Sequence, residues 1–161
     1  MIRISLAFAL VASLSATGCS KKKEGEGGGG GGDKPAALKL PKADNLTIDV
    51  PGEATVGDGI MGDGNLIQGG AVGALMVEPD KKPQTLDEAK EDAKMYSPKN
   101  VKGDALPDGW TLTYDNTGGA GANFFVQVRR DIGGKTYKCS TTTGDADQAK
   151  GALAACKTLR K

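Results

Sequence analysis

Apolar and polar residues alternate over several short stretches of the chain, which is the pattern of half-buried β-strands. In "NLTIDVP", Leu46, Ile48 and Val50 fall on one face, and Pro51 ends the strand. The stretch "GWTLTYDN" repeats the alternation farther along the chain. "AVGALMVEP" is more continuously apolar and closes at a proline, so we expect an interior strand there.

Two segments with glycine turns predict further strand pairs. "EATVGDGIMGDGNLIQGG" has short apolar pieces broken by Asp-Gly and Gly-Gly steps, which indicates short strands or a hairpin. "NFFVQVRRDIGGKTYKCSTTT" predicts a hairpin that turns at Gly133 and Gly134. The residues expected to share a face are Phe124, Val126 and Val128 on the first strand and Tyr137, Cys139 and Thr141 on the second.

Two stretches show helical rather than strand spacing. "TLDEAKEDAKMYSP" begins with a T-x-x-E capping box formed by Thr85 and Glu88, and Pro98 ends it. Its apolar stripe is Leu86, Ala89, Ala93 and Tyr96. "DADQAKGALAACKTLRK" begins at Asp145, and its expected buried residues are Ala149, Ala152, Leu153, Cys156 and Leu159.

The order of these elements predicts an α+β domain over residues 38–161. It contains strands, a helix, three further strands that include a hairpin, and a final helix. We expect an antiparallel β-sheet of about five to seven strands with two main helices packed on it.

Residues 1–18 have the features of a secretory signal peptide. Arg3 supplies the positive charge, "ISLAFALVASL" is the apolar region, and "SATG" supplies small residues. The apolar run is shorter than the roughly 20 residues that a membrane-spanning helix needs.

A signal that ends in small residues directly before Cys19 resembles that of bacterial lipoproteins. The alternative is an ordinary secreted protein that is cleaved elsewhere. The resemblance implies cleavage before Cys19, a diacylglycerol on its thiol and an acylated amine, and therefore a membrane anchor. Ser20, where aspartate would favour the inner membrane, resembles the outer-membrane sorting pattern of some Gram-negative lipoproteins.

Residues 19–37 are predicted to be a flexible tether between the lipid and the domain. Three lysines follow Cys19, and a run of six glycines occupies positions 27–32. Glycine-rich chains behave as random coils, and lysines next to an anionic leaflet each contribute about 1 kcal/mol of attraction. A solubilising role explains the lysines equally well.

The chain contains three cysteines, and two of them remain once Cys19 is assigned to the lipid. Cys139 shares a strand face with Tyr137, and Cys156 lies on the apolar stripe of the last helix. Both are expected to point into one core, so an exported protein would join them in a disulfide. Two free buried thiols are the alternative.

Composition excludes several classes of function. Without residues 1–18, which contain only Arg3 among charged residues, 20 basic and 20 acidic side chains remain. This balance gives no basic face for nucleic acid. The absence of histidine excludes Ser-His-Asp and Cys-His catalysis and histidine metal sites. We therefore expect neither an enzyme nor a cofactor.

The short motifs of the chain do not indicate a dinucleotide site or a metal site. "GDGIMG" matches G-x-G-x-x-G, but no helix is predicted after it, as a dinucleotide site would require. Asp58, Asp63 and Asn65 carry oxygen ligands that calcium favours, without EF-hand spacing or a closing glutamate. Turn formation is the favoured interpretation of both, and no metal site is predicted.

Three residues are candidates for contact with a ligand or partner. Arg129 and Arg130 could bind an anionic group or a partner's carboxylate, or simply end an exposed strand. Trp110 is the only tryptophan, and an anchor in the core or at its rim is favoured over a ligand platform.

The element order resembles the PsbP/Mog-like fold, an antiparallel sheet with helices on its faces. The resemblance lies in "ALMVEPDKKPQTLDEAKEDA" and in "NFFVQVRRDIGGKTYKCSTTTGDADQAKGALAACKTLR". The signal, glycine stalk and chain ending also look like those of myxobacterial lipoproteins of uncertain role. Members of the fold are mostly binding or accessory subunits, and no functional residue carries over.

Two functions follow as hypotheses. The first is an envelope lipoprotein whose domain binds a protein partner without catalysis. The alternative is a small-ligand binder with a cleft near Trp110, beneath the glycine-rich loops at 57–73 and 117–122. An apolar pocket with a few convergent polar groups would favour the ligand, and an exposed apolar patch would favour the partner. The sequence does not indicate an oligomeric state.

Overall fold

The computed structural model describes residues 34–119 and 121–161, which form nine β-strands, two α-helices and two short 3₁₀ turns. The strands are β1 (Ala36–Leu40), β2 (Leu46–Val50), β3 (Ala54–Asp58), β4 (Asn65–Gly69), β5 (Gly73–Pro79), β6 (Lys99–Leu106), β7 (Gly109–Gly118), β8 (Gly121–Ile132) and β9 (Lys135–Thr143). The helices are α1 (Leu86–Ala93) and α2 (Ala146–Lys157), and the 3₁₀ turns are Ile60–Gly62 and Lys94–Tyr96.

Seven strands form one sheet in the order β3-β4-β5-β9-β8-β7-β6, and β1 pairs with β2 in a separate two-stranded sheet. Every strand pair is antiparallel. The prediction of an α+β fold with a mainly antiparallel sheet and two helices is thereby confirmed.

One face of the large sheet, which we call the covered face, carries the main core. Helix α2 packs there against β5, β8 and β9 and also contacts β2 of the small sheet. The core joins apolar side chains from both sheets and the helix, including Leu46, Ile48, Val77, Val128, Tyr137 and Ala152.

The opposite face is only partly covered. Helix α1 packs over β7, where Ala89 and Ala93 form a second core cluster with Trp110, Leu112 and Tyr114. On β4, β5, β8 and β9 the same side of the sheet is not packed against a helix. We call this region the open face, and its residues include Leu66, Met76, Phe125, Gln127, Lys138, Ser140 and Thr142.

The capping box places α1 as the sequence predicts. The Thr85 amide donates to a Glu88 carboxylate oxygen at 2.7 Å, and the Glu88 amide donates to the Thr85 hydroxyl at 3.3 Å. These two bonds satisfy amides that the first helical turn leaves without partners. Accepting hydrogen bonds from Thr85 also holds the pKa of the Glu88 carboxyl below its usual value.

Helix α2 begins after Asp145, whose side chain accepts from the amides of Asp147 and Gln148 at 2.8 and 3.2 Å. In the middle of the helix, Gly151 lets the turn between β4 and β5 approach closely. A Cβ at this position would lie 2.0 Å from the Ala71 carbonyl oxygen. Glycine is therefore unfavourable for the helix itself at this position, but it permits the close packing of α2 on the sheet.

Two strands were not predicted. Strand β1 begins at Ala36, so it includes the last two residues that the sequence assigned to the tether. Strand β6 follows α1 as the first of four strands rather than three, and most of its residues are exposed. It is an edge strand with lysines at 99 and 102 and an irregular register between them, features that discourage pairing with other chains.

Candidate functional site

The open face forms a groove of about 390 Å³ across the strands. The 3₁₀ turn that contains Ile60 lines one side of the groove, and the turn after α1 that contains Tyr96 lines the other. The floor contains Leu66, Ala74, Met76, Phe125, Gln127, Lys138, Ser140 and Thr142.

Both sides of the groove carry an exposed apolar side chain. Ile60 is 69% exposed and Tyr96 is 47% exposed, values that are unusual for large hydrophobic residues. Neighbouring Met95 is 76% exposed as well. Single exposed apolar residues are ordinary, but several around one concave surface indicate a contact site.

The glycine-rich "GDGIMGDG" segment holds Ile60 at the edge of this groove. The Gly59 amide donates to the Gly64 carbonyl at 3.0 Å, which closes the turn between β3 and β4. Gly64 has a φ of 68°, and a Cβ there would lie 2.3 Å from the Val77 carbonyl oxygen. The segment is thus a tight connection between two strands, with no helix of the kind that a dinucleotide site needs.

Three aromatic rings form the side of the groove next to α1. Tyr114 and Phe125 face each other across β7 and β8, with ring centroids 4.5 Å apart and planes 12° apart. Tyr96 lies over this pair, at 5.6 Å from Phe125 and 6.4 Å from Tyr114. Burial raises the pKa of the Tyr114 hydroxyl. The stacked pair forms a fixed apolar surface beneath the more exposed Tyr96 ring.

Polar side chains of β9 next to α2 on the covered face are hydrogen-bonded, whereas several on the open face are not. On the covered face Thr141 donates to the Ala74 carbonyl at 2.6 Å, and Thr143 donates to Gln148 at 2.8 Å. On the open face, the side chains of Gln127, Ser140 and Thr142 make no hydrogen bond to any described residue. Their amide and hydroxyl groups are therefore available to a bound molecule.

A second groove of about 400 Å³ adjoins the first and shares Gln127 and Lys138 with it. Trp110 and Arg129 line this end. Trp110 is only 8% exposed and its indole N–H donates to the Gln84 carbonyl at 3.0 Å, so it anchors the segment before α1.

Arg129 contacts the same carbonyl through one guanidinium nitrogen at 3.4 Å and pairs with Asp131 at 3.1 Å. Its Nε is buried and has no hydrogen-bond partner among the described residues. Arg129 also lies directly opposite Lys138 on β9, and such like-charged neighbours are unfavourable without an anion nearby.

Arg130 lies on the covered face, because successive residues of a strand point to opposite sides. Its guanidinium group donates to both carboxylate oxygens of Asp108 at 2.7–3.0 Å and to the Lys157 carbonyl at 2.5 Å. The structure therefore does not bring the two arginines together, and Arg130 ties the β6–β7 turn to the end of α2.

Cys139 and Cys156 form a disulfide between β9 and α2, which confirms the predicted bridge. Their Cα atoms are 5.7 Å apart, and both residues are almost fully buried in the covered-face core. Cys19, the predicted lipid attachment point, lies outside the described residues.

The three candidate calcium ligands have other partners. Asp58 pairs with Lys42 at 2.9 Å, and Asp63 pairs with Lys81 at 2.8 Å, which lowers the pKa of the Asp63 carboxyl. The buried Asn65 side chain accepts from the Lys42 amide and donates to the Gly57 carbonyl. Across residues 34–119 and 121–161, no cluster of three or more His, Cys, Asp or Glu side chains is arranged to hold a metal.

Of the two loops expected near Trp110, the 57–73 segment contributes Asp63 to the groove that Trp110 lines, whereas none of the described residues of 117–122 lines it. Trp110 lies at the start of β7, whereas the turn to β8 follows Gly118 at the other end of that strand. Ile60 and Tyr96, which line the open-face groove, were not among the contact residues predicted from the sequence. Their exposure depends on which side of the sheet each turn lies, and periodicity does not encode that.

No helix among the described residues is long and apolar enough to span a membrane. No family model matches the chain, and no curated protein is significantly similar to it.

Proposed function

We propose that the protein is a lipid-anchored lipoprotein of the cell envelope, more specifically of the outer membrane, whose domain binds a protein partner through the open-face groove. The lipid on Cys19 and the tether would hold the domain near a membrane. The proposal assigns no catalytic residue. The observation that carries it is the pair of exposed apolar side chains, Ile60 and Tyr96, on opposite sides of one groove.

The groove suits an extended polypeptide segment. Its floor combines apolar Leu66 and Met76 with the unbonded side chains of Gln127 and Ser140, so it can accept an apolar side chain and also bond a peptide backbone. The groove continues into the one beside Trp110. A segment several residues long could therefore lie across the strands, with one apolar side chain between Ile60 and Tyr96.

The test is affinity purification of the tagged protein from cross-linked, detergent-solubilised membranes. Ile60→Asp places a charge in the groove and should remove the partner, because a buried unpaired carboxylate is costly. Val101→Asp is the matched control, since Val101 is 44% exposed on β6 and lines none of the grooves described. A partner that both variants lose, or that neither loses, would contradict the proposed surface.

The anchor has its own test. Cys19→Ala should move the protein from the membrane fraction to the soluble fraction, because the acyl chains supply most of the membrane affinity. Ser20→Ala is the matched control and should leave the protein in the membrane fraction. Attachment that persists in Cys19→Ala would contradict the lipoprotein assignment.

A small polar ligand is the second candidate, supported by the unpartnered Nε of Arg129 beside Lys138. Such a ligand would lie at the Trp110 end rather than between Ile60 and Tyr96. Titration of Trp110 fluorescence with metabolites distinguishes the two. A saturable change that Arg129→Gln abolishes and Ile60→Asp leaves intact would favour the ligand over the partner.

A further inference from the structure

The covered face also has an uncovered part, between α2 and the edge strand β6. Helix α2 packs against β5, β9 and β8, the three central strands of the sheet, and does not extend over the edge formed by β7 and β6. Over β6 and β7 the same face is left with a groove of about 300 Å³. This groove is separate from the open-face groove and lies on the other side of the sheet.

The interior of this groove is apolar. Phe124 and Val126 of β8 line it together with Ala149 and Leu153 of α2. Phe124 and Leu153 are only half-buried, although both pack against the main core. An apolar ligand in the groove would cover their remaining exposed surface, which is the principal source of affinity for such ligands.

The rim of the groove carries a cation that the domain does not neutralise. Lys102 of β6 is exposed and forms no salt bridge within the part of the chain that the structure describes. On the opposite rim, Lys150 is paired with Asp147 at 2.8 Å. Asp115 lines one end of the groove and accepts a hydrogen bond from the Asn100 side chain at 2.8 Å.

We propose that this groove binds a free fatty acid, with the alkyl chain against Phe124, Val126 and Leu153 and the carboxylate at Lys102. The small volume suits one alkyl chain rather than the two of a phospholipid. Lys102 is the one cation among the residues lining the groove that forms no salt bridge with a described residue, which suits a monoanionic head group rather than a dianionic phosphate. The inference does not depend on the proposed partner or on the open face.

The test uses the unlipidated full-length chain (Cys19→Ala) and calorimetric titration with octanoate, decanoate and dodecanoate. Each added methylene should strengthen binding about fourfold until the groove is filled. Affinity that does not change with chain length, or no saturable binding of dodecanoate, would overturn the proposal.

Two variants in the same background locate the ligand. Ala146→Phe fills the groove from the exposed first turn of α2 and should abolish dodecanoate binding, whereas Ala122→Phe, at an exposed position outside the groove, should not.

Lys102→Gln should weaken dodecanoate binding about two- to fivefold, as expected for an exposed ion pair, and leave dodecanol binding unchanged. Lys138→Gln on the open face is the control. Binding that survives Ala146→Phe, or an equal loss of dodecanol binding in Lys102→Gln, would overturn the assignment.

Discussion

The two faces of the seven-stranded sheet contain similar types of residue, but these residues differ in their burial and hydrogen bonding. On the covered face, apolar side chains are buried under α2 and the small sheet, a disulfide joins β9 to α2, and Arg130 is held by Asp108 and a carbonyl. On the open face, Leu66 and Met76 remain half-buried. The side-chain amide of Gln127 and the hydroxyls of Ser140 and Thr142 have no hydrogen-bond partner among the described residues.

This difference indicates where the fold is stabilised and where it can bind. Side chains that are buried and hydrogen-bonded stabilise the domain, whereas exposed apolar and unbonded polar groups gain most from a partner. Substitutions in the buried core of the covered face should therefore change stability, and substitutions on the open face should change partner binding.

The largest contrast is expected between two consecutive residues of β5. Leu75 is fully buried on the covered face, so Leu75→Ala should lower the free energy of unfolding by about 2–5 kcal/mol. Met76 points to the open face, so Met76→Ala should cost roughly 1 kcal/mol or less. Urea denaturation followed by circular dichroism measures both. Equal losses would mean that the open face is buried in solution.

Removal of the disulfide should have the next largest effect. The bridge closes a loop with a sequence separation of 17 residues. Cys139→Ala combined with Cys156→Ala should therefore lower the free energy of unfolding by about 3 kcal/mol. Binding at the open face should be retained under conditions where the variant remains folded. A stability unchanged from wild type would contradict the assigned role of the bridge.

The two arginines offer a smaller, matched comparison. Asp108→Asn removes a bidentate partner from Arg130, which is only 14% exposed, and should cost about 1–3 kcal/mol. Asp131→Asn removes the more exposed partner of Arg129 and should cost about 0–1 kcal/mol. Thermal unfolding of both variants checks the order. The reverse order would contradict the account of the two faces.

Sequence periodicity accounts for the buried parts of the sheet, under α2 and under α1, better than for the open face. The alternation in β2, β7, β8 and β9, the capping box of α1 and the facing cysteines all led to elements that the structure contains. Each of these signals arises from burial, which imposes a period on the sequence.

Apart from the five-residue strand β1, which contains the buried Leu40, the features that periodicity missed are those without a buried side. Edge strand β6, "KNVKGDAL", is mostly exposed and has no apolar alternation to detect. In β8, the alternation already places Phe124 and Phe125 on opposite faces, but it does not show which of these faces lacks a packed helix. The groove also depends on turns that are distant in sequence, at Ile60 and Tyr96, which no local pattern connects.

Two further effects concern pH, and both involve the contact between Asp44 and Tyr137. The Asp44 carboxylate accepts from Lys135 at 2.8 Å and from the Tyr137 hydroxyl at 2.5 Å, which ties the β1–β2 turn to β9. Hydrogen bonds from Lys135 and Tyr137 hold the pKa of Asp44 below its ordinary value of 3.8. Burial and the bond to Asp44 raise the pKa of Tyr137 to about 12.

The two shifts predict loss of stability at both ends of the pH range. The Asp44 carboxyl has a higher pKa in the unfolded chain than in the folded one. The stabilisation that comes from its lowered pKa is therefore complete above pH 3.8, and it is lost as the pH falls through the lower pKa of the folded state. The unfolded chain ionises Tyr137 at about pH 10, so stability also falls between pH 10 and about 12. Unfolding midpoints across pH should show both losses, reduced in Asp44→Asn at acid pH and in Tyr137→Phe at alkaline pH. Unchanged profiles in these variants would contradict the assignment.

The most direct test of the open-face account is site-specific photo-cross-linking in intact cells. A photoreactive phenylalanine analogue replaces Ile60 in one strain and Val101 in another, because both positions are exposed but only the first lines the open-face groove. We expect a discrete cross-linked protein from position 60 that is absent from position 101. Equal adducts at both positions, or an adduct at position 101 alone, would contradict it.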